Sequence, residues 1–544
     1  MELLLSLSSA KALEKTPPAT IRMLRVRAEE DIPTMRRALQ NEGYVDAEIT
    51  LEMDQSSDPV VVRYQVNTGP AFKLAEAAIV ADNGSSGNFP KPADLGLKPG
   101  NRFRAESVIE AQKQLVSHLK NSGYPFPKIT KRQIVADHVT QTVRVTWHVN
   151  AGVSAVFGDT VIEGLKDIDE DVVREKFTYK AGERFSQAKL TDTRVALTKA
   201  GWFSLVEITP QPVDNQGRLP LVVKVRERAP RTIKLGVTYQ TDVGPGGKVE
   251  WQHRNIFGRG EEFSISMSGN EQYKAAEALY KQRDFFTSRE TFYLKTTVSD
   301  ENTDAYETTY WQTSVAVEEK FTDVVSGGAG VTYRLSRDAR KDTRFGLISF
   351  PVYINYDDSN NLLDPTEGSR VNLSFGPFFE TLNQDLVYTR FRVDFSHYFS
   401  LTPRDRVVLA VRGAWGAIQG ASKNNVPDDE LFYAGGGGSV RGFKYQFAGD
   451  LSGGEPTGGL SLGEVSGELR YRITDSFGIV AFLDGGRAFE NEYPDFSKDL
   501  FWGAGLGLRY YTAIGPIRLD AAVPLNPRSN DEDFQIYVSI GQAF

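Results

Sequence analysis

Polar and apolar residues alternate along this chain with two different periods, and the change falls near Pro230. Before it, apolar positions recur at helical spacing, as in Val108, Ala111, Leu115 and Leu119, and each such stretch gives way to an alternating strand. After it, a period of two takes over. Ile233, Leu235, Val237 and Tyr239 alternate with Lys234, Gly236, Thr238 and Gln240, and Val371, Leu373 and Phe375 with Asn372 and Ser374. Val407, Leu409 and Val411 alternate with Val408, Ala410 and Arg412. Further on, Val465, Leu469, Tyr471 and Ile473 face Glu464, Ser466, Glu468, Arg470 and Arg472. The last run sets Phe534, Ile536, Val538 and Ile540 against Gln535, Tyr537, Ser539 and Gly541.

The helical half repeats itself. Glu42-Gly43-Tyr44, Ser122-Gly123-Tyr124 and Ala200-Gly201-Trp202 lie about 80 residues apart, each where a helical stretch ends. Glycine there is a C-cap, since it takes the left-handed conformation at little cost. The second and third copies share an upstream element, Pro99-Gly100-Asn101-Arg102-Phe103 and Ala181-Gly182-Glu183-Arg184-Phe185. Each copy closes on a strand, at Val60 to Val66, Val143 to Val149 and Leu221 to Val225. The predicted unit is β-α-α-β-β with a small two-layer α+β core. Three units follow one another, over residues 1–70, 71–150 and 151–228, and the first lacks its opening strand because the chain begins almost inside a helix.

The remaining segment, residues 229–544, reads as strand and turn throughout. A β-sandwich also shows a period of two, but here one face is apolar and the other carries full charges that no packed core accepts. At roughly 10 residues per tilted strand plus turns, the length suits about sixteen antiparallel strands closed as a transmembrane barrel. The 49 glycines and 11% aromatic residues agree with tight turns and aromatic girdles. The fold class is therefore mixed: α+β repeats, then a β-barrel.

A formal charge of −8 argues against a general nucleic-acid binder, and no partner of that kind is expected. The chain has no cysteine, so disulfides and thiolate metal sites drop out. No run of eighteen apolar residues occurs, which excludes a spanning helix but not spanning strands. Leu3-Leu4-Leu5 follows Glu2 rather than a basic residue, so a secretory signal is expected to be missing or already removed.

Five patterns then occur in order: Arg254-Asn255-Ile256-Phe257-Gly258-Arg259-Gly260, Val440-Arg441-Gly442-Phe443, Phe482-Leu483-Asp484-Gly485-Gly486, Gly515-Pro516-Ile517-Arg518-Leu519-Asp520, and a terminal Phe544. Together they resemble the outer-membrane assembly and translocation superfamily whose branches include BamA, TamA and the two-partner secretion transporters. The resemblance implies periplasmic POTRA repeats before a 16-stranded barrel, in the outer membrane of a Gram-negative bacterium. Three repeats resemble the TamA branch. That branch implies insertion or translocation of unfolded outer-membrane clients, autotransporters among them, and an inner-membrane-anchored partner of the TamB type docking on POTRA repeat 1. A BamA-type general assembly subunit, a two-partner transporter and, more remotely, a passive porin are the alternatives.

Three sites are expected, the third, at the strand edges of the repeats, the weakest. On composition alone, the glycine-rich loop at about 418–461 is a solvated loop with a stray Arg441. By resemblance it folds into the lumen, with Val440, Arg441, Gly442 and Phe443 as a latch and Asp484 as its carboxylate partner; Glu468, on the preceding strand in the lumen-facing set with Glu464 and Arg470, is placed to share the contact. The second site is a lateral seam between the first and last barrel strands, with Leu235 and Val237 on one side and Ile540, Gly541 and Phe544 on the other. Gly541 either weakens that strand or is a turn-proximal residue of a normally paired one. The exposed edges of the repeats are either client-pairing strands or parts of a structural spacer.

Enzymatic chemistry is not expected. His118, His138, His148, His253 and His397 have no metal-ligand spacing. Gly503-Ala504-Gly505-Leu506-Gly507 lies in a strand pattern with no helix after it, and Gly435 to Gly438 lacks the lysine and hydroxyl of a phosphate loop. Neither a cofactor nor a metal is called for.

Overall fold

The computed structural model describes residues 2–16, 18–57, 59–82, 89–240, 243–382, 385–495, 497–513, 515–529 and 531–544. They fall into two compact units, Met1–Arg228 and Ala229–Phe544.

In the first unit, the helix Ile21–Asn41 packs Met35 and Leu39 on Ala47 and Ile49, at the start of a hairpin formed by Glu48–Asp54 and Val61–Asn67. Two three-stranded sheets follow. Lys73–Ala81 runs parallel to Thr142–Asn150, whose other edge takes Lys128–Asp137 antiparallel; Val156–Glu163, Arg218–Glu227 and Phe203–Pro210 repeat this order. The parallel pairing requires a crossover, and the intervening helices supply it. Val108, Ala111, Leu115 and Leu119 of the helix Ala105–Asn121 bury against Val143, Val145 and Trp147. The short helix Glu170–Arg174 has only a single 3-10 turn, Pro92–Leu95, as its counterpart in the preceding sheet unit.

The two repeated sequence motifs prove to be two halves of one joint. The Gly43 carbonyl accepts from Phe72 N–H at 2.8 Å, while Arg102 Nε donates to the Glu42 carbonyl at 2.7 Å and its guanidinium lies 4.4 Å from the Tyr44 ring centre. At the next joint the Gly123 carbonyl accepts from Ala155 N–H, and Arg184 packs on Gly123 so closely that a Cβ there would stand 2.6 Å from Nε.

One buried charge organises the N-terminal helices. Asp31 accepts from Ser8 Oγ (2.7 Å), Ser9 Oγ (2.6 Å), Ser9 N–H (2.9 Å), Ala10 N–H (3.1 Å) and Tyr64 Oη (2.9 Å). Burial opposes its ionisation. The hydrogen bonds from Ser9, Ser8 and the two backbone N–H groups outweigh that and hold the carboxyl below the usual range.

In the second unit, an antiparallel meander from Arg231–Gln240 to Gln535–Ile540 closes on itself. It is a 16-strand barrel, because Thr343–Ser349 and Val352–Asp357 are halves of one strand broken at Phe350 and Pro351. Both halves pair with the same neighbours, Val325–Asp338 and Gly368–Glu380. Pro351 has no N–H for the ladder, which is where a strand interruption belongs. The alternation sorts the faces: Val465, Leu469 and Tyr471 point outward, whereas Ser466, Glu468 and Arg470 are buried within. Among the described residues no helix is long and apolar enough to cross a membrane.

Candidate functional site

The connection between the strands Val407–Gln419 and Ser461–Arg472 does not extend from the barrel as a solvated loop. It folds inward. Leu431, Phe432, Val440 and Phe443 pack against Phe345, Tyr388, Ile418 and Phe501 of the wall in one apolar cluster. Residues 420–460 thus carry a core of their own, which fixes where the polar tip lands.

That tip is Arg441, only 2% exposed. Its Nε and Nη2 meet Asp484 Oδ2 and Oδ1 at 2.6 and 2.9 Å, and Nη1 meets Glu468 Oε1 at 2.7 Å and Asp520 Oδ2 at 3.2 Å. The Arg441 N–H also donates to Asp484, at 3.2 Å, and the Phe482 ring lies 3.5 Å beneath the guanidinium carbon. Burial works against the charged guanidinium. Glu468, Asp484 and Asp520 reverse this and keep it ionised. Val440 and Phe443 are buried beside it, and Gly442 N–H donates to Tyr537 Oη at 3.2 Å.

The third carboxylate, Asp520, escaped the sequence reading, although it ends one of the quoted motifs. So did the glycines that make room for the cluster. A Cβ on Gly503 would lie 1.8 Å from the Arg441 carbonyl, one on Gly505 would lie 2.3 Å from the Phe482 ring, and one on Gly507 would lie 2.2 Å from Asp520 Oδ1. Alternate residues of one strand thus form a lane without side chains, in which the loop tip and its partners sit. Glycines at every second position of a strand are the signal that would have revealed it.

A second anchor, also missed, holds the far end of the loop with the charges reversed. Arg334 pairs with Asp429 and, at 2.7 Å, with Glu430; Arg390 reaches Glu430 at 3.1 Å, and Lys341 reaches Asp428 at 2.6 Å. Tyr310 lies 3.8 Å under the Arg334 guanidinium. Burial pushes the Asp429 carboxyl above the usual range, against the pull of Arg334. Asp428-Asp429-Glu430 in a loop reads as a solvated acidic run, and only the fold brings it to two wall arginines.

The seam corrects the expected residue set. The first strand pairs with the second over ten residues, from Arg231 to Gln240; with the last strand, among the described residues, it pairs through Tyr537↔Gln240 and Val538↔Tyr239, and Arg231 to Thr238 have no partner there. Leu235 and Val237 are 78% and 79% exposed and lie beyond that pairing, while Ile540 pairs with Ile517 on its other side. Gly541 and Phe544 are not in the seam. At φ +93°, a conformation open to glycine, Gly541 turns the chain into the lumen. There Gln542 N–H donates to the Leu363 carbonyl at 3.1 Å, and Phe544 packs on Tyr398, Val408 and Ala410. Among the described residues no cluster of metal-ligating side chains occurs.

Residues 255–544 match the Omp85 superfamily domain, and residues 155–228 match POTRA, the surface antigen variable number repeat. Outer membrane protein assembly factor BamA of Nitratidesulfovibrio vulgaris is 23% identical over 95% of this chain and 68% of its own length. The BamA of Neisseria meningitidis serogroup B is 19% identical over 95% of this chain and 72% of its own. Among solved structures, BamA from Haemophilus ducreyi lacking POTRA domains 1-3 superposes with a TM-score of 0.74 at 20% identity, covering 86% of this chain and 99% of that one. CdiB from Escherichia coli gives 0.51 at 14% identity, over 96% and 97%. At such identities the structural likeness is one of fold. The chain belongs to the Omp85 superfamily, whose domain covers more than half of it, and it is an outer-membrane protein with its POTRA region in the periplasm.

Proposed function

We propose that this protein inserts client β-barrel proteins into the outer membrane by pairing their strands at the seam. The observation that carries this reading is that, among the described residues, Arg231 to Thr238 pair with the second strand and have no partner on the last. Unpaired N–H and C=O groups along Arg231 to Thr238 cannot be satisfied by lipid, and an incoming extended segment satisfies them by β-augmentation. The inward loop, with Val440, Arg441, Gly442 and Phe443 as its latch, occupies the lumen and leaves the seam as the working element rather than an open pore. The absence of cysteine makes the test clean. Tyr239→Cys with Val538→Cys, which face each other across the seam, locks the two strands on oxidation. Client assembly stops on locking and returns on reduction; assembly that persists through a quantitative lock overturns the reading.

The finer assignment concerns the branch. The units at 1–70, 71–150 and 151–228 are read as three POTRA repeats, which favours the TamA type with a TamB-like inner-membrane-anchored partner on the first. The names of the curated relatives favour a second reading, a general assembly factor of the BamA type. Affinity purification from crosslinked cells separates them: a large inner-membrane-anchored protein supports the first, a set of lipoproteins the second.

A further inference from the structure

The last four residues have two places they can occupy. One is the lumen, where the structure holds them. The other is the seam: the register of Tyr537↔Gln240 and Val538↔Tyr239, continued residue by residue, sets Ile540 opposite Val237 and Phe544 opposite Ile233. A straight tail closes the first strand's free edge; an inward tail leaves it open.

Two arginines grip the tail in the lumen, beside the Leu363 carbonyl, Asp364 and the surface of Tyr398, Val408 and Ala410. Arg470 Nη2 donates to the main-chain oxygen of Phe544 at 3.1 Å, and Arg509 Nε donates to Gln542 Oε1 at 2.8 Å. Each is aimed by a carboxylate that Arg441 also holds. Glu468 gives Oε1 to Arg441 and Oε2 to Arg470 Nε, at 2.7 and 2.9 Å. Asp520 gives Oδ2 to Arg441 at 3.2 Å and Oδ1 to Arg509. Two continuous chains of charge-assisted hydrogen bonds therefore run from the loop tip to the tail, one through Glu468 and Arg470 and the other through Asp520 and Arg509.

We propose that Arg470 and Arg509 are positioning residues that keep the C-terminal tail inside the barrel, and that Arg441 controls their hold, so that loop latch and seam form one switch. The inference rests on the reading of the seam as the working element. Its physical basis is charge balance. With Arg441 in place, Glu468, Asp484 and Asp520 share that guanidinium, and Arg470 and Arg509 have donors to spare for the tail. When the loop tip withdraws, Asp484 loses its bidentate partner and three buried carboxylates depend on the arginines that remain. An unpaired buried carboxylate costs more than the single hydrogen bond from Arg509 to the Gln542 amide oxygen. Arg470 and Arg509 turn toward the carboxylates, the tail is freed, and it extends along the first strand.

The test places spin labels at Ala543 and Lys234 of the full chain in lipid nanodiscs and reads their distance distribution without any client. The native protein gives one long distance. Arg470→Ala, Arg509→Ala and Arg441→Ala each raise the short-distance, seam-paired fraction by at least about fivefold, the lower end of ordinary coupling between sites. Gln542→Ala, which leaves the ion cluster intact and removes the tail's contacts to both Arg509 and Asp364, does the same, whereas Asp364→Ala, which removes only the second, shifts it less; the pair serves if an arginine variant fails to fold. Arg487→Ala, which removes a loop contact to Asp450 outside the two chains, leaves the distribution native. Loop release in Arg441→Ala, seen by proteolysis within 420–460, with an unchanged distance distribution overturns the coupling; native distances in both Arg470→Ala and Arg509→Ala overturn the positioning role. A seam lock that spares client assembly while these distances shift removes the proposed function and leaves the switch standing.

Discussion

Arg441 and Asp484 meet through two parallel hydrogen bonds, of 2.6 and 2.9 Å, and the carboxylate also accepts from the arginine's own backbone N–H at 3.2 Å. This pairing ties both the side chain and the backbone of the loop tip to one wall residue. Removing one partner strands the other in a dehydrated site. Arg441→Ala and Asp484→Ala are each expected to cost loop anchoring about 3–5 kcal/mol, the usual penalty for breaking a buried pair. Limited proteolysis between residues 420 and 460 measures it. Arg441→Lys recovers only part of the loss, because an ammonium cannot bridge two carboxylate oxygens in a fork.

The opposite anchor obeys the same physics with the signs exchanged. Arg334→Ala exposes residues 426–432 to hydrogen exchange, and so does Glu430→Ala. Because the two residues touch, the double variant falls short of the sum of the single losses by about 0.5–3 kcal/mol. Strict additivity would mean that Arg334 and Glu430 act independently and that their mutual pairing adds nothing.

The glycine lane predicts a loss from an added methyl group. Gly503→Ala puts a Cβ where the Arg441 carbonyl now lies, and the loop tip must move to admit it. A penalty of about 1–3 kcal/mol is expected, as for other overpacked sites. It appears as a lower midpoint of heat-modified mobility in gels. The same change at Gly467, whose Cβ would meet nothing within 4 Å, leaves the midpoint unchanged.

Asp31 makes the N-terminal helices sensitive to acid. Its folded pKa lies below the unfolded value, so its contribution is complete above the ordinary carboxylate pKa and disappears as the pH falls through the lowered one. Hydrogen-exchange protection in residues 2–12, taken relative to the intrinsic exchange rate at each pH, should fall on going from pH 6 to pH 3. Asp31→Asn abolishes that pH dependence and costs about 1–3 kcal/mol at neutral pH, the worth of hydrogen bonds to a buried charge.

The sequence by itself determined the periodicities, and with them the two-part organisation. A strand in a barrel wall has one face in lipid and one in the lumen, so Val465, Leu469 and Tyr471 against Ser466, Glu468 and Arg470 can be read without coordinates. The repeated motifs Gly43-Tyr44 and Arg102-Phe103 were equally visible, although only the structure sets Arg102 on Glu42 and Tyr44. What only the tertiary structure decided is which charges meet. Glu464, Glu468, Arg470, Arg509 and Asp520 all occupy lumen-facing positions, and their partners depend on strand stagger and on an apolar loop core that period two cannot encode. Hence Asp484 was legible through a motif, whereas Asp520, the Asp429–Glu430 anchor and the glycine lane were not. Gly541 shows the boundary most clearly. Its break in the final alternation was visible, but whether the last residues close the seam or turn inward depends on Arg470, Arg509 and Leu363, distant in sequence and adjacent only once the barrel has closed.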